Sequence, residues 1–194
     1  MFIHCASTYG IQDQFKIMHY LASSINYLSL DGLPWILLSW VLMIITRPLA
    51  TFVHEFGHLI PMYFFSSEPI TFRIGEGKSY PFKIGSRVEF RLSWKGSSTG
   101  SVYVDDGKLS KRNQLFVLTG GPFLSFLIIS TLFFFLQRFS PMVWFEVTAV
   151  GFLCSNLLAF LTSIIPMHLK PTSRFPDGPP SDGLQILDLL KSKG

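Results

Sequence analysis

Residues 49–62 read Leu49-Ala50-Thr51-Phe52-Val53-His54-Glu55-Phe56-Gly57-His58-Leu59-Ile60-Pro61-Met62, so two imidazoles and a carboxylate stand in an otherwise apolar run. On a helix, positions i and i+4 share a face, and His54 and His58 can direct both rings at one metal ion. Glu55 stands beside that site, where it can take a proton from water. His-Glu-x-x-His at this spacing is a zinc signature. Ionisable groups inside an apolar helix are costly, and three of them at ligand spacing mark a functional site.

The run belongs to an apolar block from Leu33 to Phe65, and two further blocks follow at 115–136 and 142–165. About 20 apolar residues cross the hydrocarbon of a bilayer, so each block is long enough. Charged residues make up 14% of the 194-residue chain and hydrophobic ones 48%, against about 25% charged in an average soluble domain. A chain this short has little room to bury three such helices on all sides. The expected fold is therefore mainly α, a polytopic membrane protein with about three transmembrane helices. The first block would be about 50 Å long at 1.5 Å per residue, which exceeds the bilayer. A kink at Pro48 or a projecting end is expected. Arg47, within this block, should snorkel or find a partner.

Residues 66–112 change character. Val88, Phe90, Leu92 and Trp94 alternate with Arg87, Glu89, Arg91 and Ser93, the period of a half-buried strand. Phe72 and Ile74, and Val102 and Val104, begin similar patterns, and glycines punctuate the segment. A small antiparallel sheet of three or four strands is expected. The first 32 residues repeat Phe15, Met18, Ile25 and Leu28 at helical spacing, with Asp13 as N-cap. They predict a helix lying on the membrane surface or against the bundle. No secretory signal peptide is expected at this N-terminus. Residues 166–182 form a proline-rich loop, and a short helix from Leu184 to about Lys191 should end the chain.

Nine of the 16 Lys and Arg residues lie in 66–112 and four lie after Met167. With three spans these two segments share a side, and the positive-inside rule places both in the cytoplasm. Acidic residues interrupt the basic loop and no nucleic-acid motif appears, so nucleic acid is not an expected partner. Cys5 and Cys154 form no Cys-x-x-Cys pair, which excludes a structural zinc knuckle.

A catalytic zinc usually has three protein ligands and an open position. Composition leaves four candidates for the third: Glu146, His168, Asp177 and Asp182. Over roughly residues 33–192 the chain resembles the site-2 protease family of intramembrane zinc metalloproteases. The resemblance rests on His54-Glu55-Phe56-Gly57-His58, then a glycine-rich β segment, then Gly120-Gly121-Pro122 opening the second core helix, then Asp-Gly after the third. It implies that Asp182, in Ser181-Asp182-Gly183-Leu184, is the third zinc ligand beside His54 and His58. The apolar run after Asp182 can dock as a helix and hold the carboxylate still, whereas Asp177 leads into Gly178-Pro179-Pro180. The chain departs from the family in carrying Ser125 where the second helix often has Asn. It departs again in the third helix, where the family often has Asn a few residues before a Pro: here Ser163 precedes Pro166, and Asn156 lies two turns earlier.

The implied activity is hydrolysis of peptide bonds within or near transmembrane segments of membrane proteins. Water is activated by Zn2+, with Glu55 as general base. A transmembrane helix hides its scissile carbonyl in hydrogen bonds, so the substrate must unwind locally. An edge of the 66–112 sheet can then pair with it, as the family's β segment does. The alternatives are a catalytically silent membrane scaffold of the same fold, which the intact motif disfavours, and a metal transporter, whose permeation pattern this is not.

Overall fold

The structure is a computed structural model and describes residues 32–104, 109–139, 141–171 and 175–192. The surface helix expected within residues 1–32 lies outside them. The chain is mainly helical. Helix α1 spans Leu33–Phe65, α2 Lys111–Arg138, α3 Val143–Ile164 and α4 Asp182–Lys191, and four strands lie between α1 and α2. Helices α1, α2 and α3 are each long and apolar enough to cross a membrane. Their outward faces are apolar: Trp40, Ile44, Phe134 and Trp144 are each more than 60% exposed.

The three long helices pack on one another, and α4 docks against α2 and α3. Small residues decide how closely. A Cβ at Gly57 would run into the Gly120 carbonyl, and a Cβ at Gly120 would run into the Gly57 carbonyl. The α1 and α2 backbones therefore touch at this crossing, a contact that only glycine permits. Between α1 and α3, Thr46 Oγ1 and Ser155 Oγ share a hydrogen bond of 2.9 Å, and Ser155 Oγ donates to the Met43 carbonyl at 2.6 Å.

The sheet has the order β2-β3-β1-β4, with β1 Ile70–Ile74, β2 Tyr80–Ile84, β3 Val88–Leu92 and β4 Gly100–Val104. It is not purely antiparallel. β1 pairs with β3 in parallel, Phe72 opposite Phe90, while β2–β3 and β1–β4 are antiparallel. The reason is that period-two alternation identifies a strand and its buried face, not its neighbour or direction. Ile70, Phe72 and Ile74 of β1 and Val88 and Phe90 of β3 are buried against Leu59 and Met62 of α1 and Val117 of α2. This core seats the sheet on the C-terminal end of α1. β4 is an edge strand that packs on α1, with Gly100 against the Glu55 side chain.

The described parts of the proline-rich stretch after α3, 165–171 and 175–181, lie side by side as two arms. Leu169 N–H donates to the Pro179 carbonyl and Ser181 N–H to the Met167 carbonyl, both at 2.9 Å. Ser181 then caps α4, its hydroxyl accepting from Leu184 N–H at 3.2 Å. The last helix thus begins at Asp182, two residues earlier than the apolar pattern alone predicts.

Candidate metal centre

His54 and His58 lie one turn apart on α1, and both are buried, 8% and 7% exposed. Asp182 reaches them from the first turn of α4. His54 Nε2 is 3.1 Å from Asp182 Oδ2, His58 Nε2 is 3.3 Å from the same oxygen, and the two Nε2 atoms are 3.3 Å apart. These three residues form a group able to hold a metal ion. Tetrahedral zinc with bonds of about 2.0–2.1 Å separates its ligand atoms by about 3.3 Å. The triangle formed by this chain's own atoms fits that requirement on all three edges.

Each ligand atom is aimed by a second contact. His58 Nδ1–H donates to the Val117 carbonyl at 2.6 Å, which fixes the ring with Nε2 toward the centre. His54 Nδ1 hydrogen-bonds Ser125 Oγ at 3.0 Å, and Ser163 Oγ donates to Asp182 Oδ2 at 2.6 Å. Such outer partners fix ring orientation and tautomer at metal sites. Burial opposes charge on Asp182, but the two imidazoles hydrogen-bonded to it hold its carboxyl well below the usual carboxylate range.

Two glycines make the space. A Cβ at Gly121 would strike His58 Nε2 and His54 Nε2, the atoms that face the centre. A Cβ at Gly100 of β4 would strike the Glu55 carboxyl group. Glu55 is 8% exposed and lines, with both histidines and Asp182, a cleft of about 640 Å³. Residues 98–103, leading into and along β4, form one wall of it.

The other three third-ligand candidates stand elsewhere. Asp177 is exposed on a turn of the second arm. His168 is also exposed, and its Nδ1 is 3.2 Å from the Gly178 carbonyl. Glu146 is in the first turn of α3, 17 residues and so about 26 Å along the axis from Ser163, which touches Asp182. Residue spacing did not single out Gly100, Gly121, Ser125 or Ser163 as parts of the site. Only the family pattern drew attention to 120–122, to Ser125 and to Ser163. Gly100 carries no signal in a segment with many glycines.

Comparison with family models, with curated proteins and with solved structures finds no match for this chain.

Proposed function

We propose that this chain is an intramembrane zinc metalloprotease similar to the site-2 proteases, cutting peptide bonds within or near transmembrane segments of other membrane proteins. One observation carries the proposal: three ligand atoms at the spacing of a tetrahedral zinc site, next to a buried glutamate, on a helix long and apolar enough to span a bilayer. Two imidazoles and one carboxylate make the donor set of a catalytic zinc, with a position left for water or substrate. When bound there, zinc supplies Lewis acidity, polarising a peptide carbonyl and making water acidic near neutral pH.

The protein's own groups do the rest. Glu55 accepts the proton of the attacking water and returns it to the leaving amine. Ser125, Val117 and Ser163 hold the three ligands in orientation. β4 pairs with β1 on one side only among the described strands, and its residues line the cleft. An unwound substrate segment can add to the strand's other side, its backbone hydrogen bonds replacing those lost from its helix. The glycine at position 100 lets the strand approach Glu55 closely. The distribution of basic residues supports a cytoplasmic position for the sheet and α4, which thiol labelling of cysteines introduced at Ser98 and Ser192 in intact cells tests.

The deciding experiment uses the purified full chain in detergent with stoichiometric zinc. The unaltered protein should carry about one zinc ion per chain and cleave a transmembrane substrate, and Glu55→Gln should keep the zinc and lose cleavage. Near-normal cleavage by Glu55→Gln would remove Glu55 from the mechanism. Failure of the unaltered chain to bind zinc would overturn the assignment altogether.

A further inference from the structure

Arg47 lies two turns before His54 on the same face of α1, with Thr51 between them, and it lines the same cleft. It is an arginine in the middle of a span. It stands 14 residues from Leu33 and 18 from Phe65, so more than about 20 Å along the axis from either helix end. Its guanidinium offers five N–H donors in a planar fork. Among the described residues it makes a single hydrogen bond, from Nη1 to the Ser155 carbonyl at 3.0 Å, and no ion pair. The other arginine lining the cleft, Arg73, is turned back on its own sheet, Nε to the Gly75 carbonyl and Nη2 to the Gly77 carbonyl. Arg47 is therefore a cation on a helix apolar enough to cross a membrane, tethered at one nitrogen and lining the cleft. A charge in that position is costly unless an anion meets it.

We propose that Arg47 is a specificity residue that receives a carboxylate of the substrate, about three residues from the scissile bond. This rests on the protease reading above. The anion is a carboxylate because the fork matches one bidentately. Arg47 lines the same cleft as His54, Glu55, His58 and Asp182, so the anion that meets it there belongs to whatever enters that cleft. The position follows from two rises. Seven helical residues separate Arg47 from His54, about 10 Å at 1.5 Å each. An extended segment covers that distance in about three residues at 3.3 Å each. The carboxylate can come from an Asp or Glu side chain or from a free C-terminus at that position.

The test separates recognition from turnover. Apolar single-span peptides are made with a Glu or a Gln at each of the four positions on either side of a central Gly-Ser. A further pair ends at the third position as a free acid or an amide. Binding is measured by fluorescence to the zinc-loaded Glu55→Gln chain, and cleavage with unaltered Glu55. Glu at the third position should bind about tenfold more tightly than Gln. Arg47→Gln in the Glu55→Gln background should erase that difference while binding the neutral peptide as before, because the neutral peptide offers the guanidinium no carboxylate to pair with. The acid-against-amide pair tells a C-terminal carboxylate from a side chain. Equal binding of Glu and Gln peptides overturns the proposal, as does discrimination that survives Arg47→Gln. Loss of neutral-peptide binding in Arg47→Gln also overturns it, making Arg47 a clamp between α1 and α3. Discrimination without any cleavage by the unaltered chain leaves Arg47 standing and sinks the protease reading.

Discussion

The two halves of α1 obey opposite rules. From Leu33 to Leu49 none of its residues is buried, and Trp40, Ile44 and Ile45 are 64%, 62% and 64% exposed. From Ala50 to Met62 eight residues are buried, among them His54, Glu55 and His58. In water this helix would be inside out, its apolar half exposed and its ionisable groups hidden. A bilayer would remove the conflict. Apolar side chains lose nothing by facing lipid, while ionisable ones must turn inward and find partners. The second half does this with Asp182, Ser125 and the Val117 carbonyl, whereas in the first half only Arg47, near its end, carries a charge, and it turns to the Ser155 carbonyl of α3.

The contrast can be broken most severely in the polar half. His54→Ala or Asp182→Ala should empty the centre, reducing zinc in the purified protein from about one per chain to near zero and abolishing cleavage. Asp177→Ala should leave both unchanged. Zinc loss in Asp177→Ala with retention in Asp182→Ala would show that the stretch after α3 folds differently. Gly121→Val should match the ligand deletions in zinc content, because its side chain would fill the space between the imidazoles. Glu55→Gln comes next, with cleavage lowered by about 10²–10⁴-fold and metal content intact by elemental analysis.

Smaller effects sharpen the comparison. Ser125→Ala and Ser163→Ala remove one aiming hydrogen bond each, and each should weaken zinc about 10–100-fold in a chelator competition. Smallest of all, Ile44→Ala and Ile45→Ala should leave zinc affinity and cleavage within about twofold, because lipid takes the place of the lost methyls. A buried isoleucine cut to alanine in a water-soluble core costs about 2–5 kcal/mol. Thermal unfolding in detergent that shows such a loss at Ile44 or Ile45 would mean that this half of α1 is covered by protein, not lipid.

Much of this was legible along the chain, because the signals are local. The three apolar blocks coincide with α1, α2 and α3 to within a few residues, since hydrophobic length is a property of consecutive positions. The i, i+4 spacing of His54 and His58 put two imidazoles on one face without reference to anything else. The alternation at Val88–Leu92 revealed a strand for the same reason.

What tertiary structure decided is everything that joins distant positions. Four candidates for a third ligand were open by composition, and helix packing alone brings Asp182, 128 positions beyond His54, into reach of both rings. Side-chain alternation could not foretell that β1 lies parallel to β3, because direction depends on how the intervening β2 hairpin folds back. Nor could residue spacing by itself distinguish the glycines at 100 and 121 from the others. Their meaning is the absence of a Cβ where another element's carboxylate or imidazole must stand. The same holds for Arg47, conspicuous in sequence as a charge in an apolar run. That it is held at one nitrogen by α3 and lines the metal centre's cleft follows from how α1 and α3 are placed. Periodicity records which face of an element is apolar, and only the packing of elements determines what that face meets.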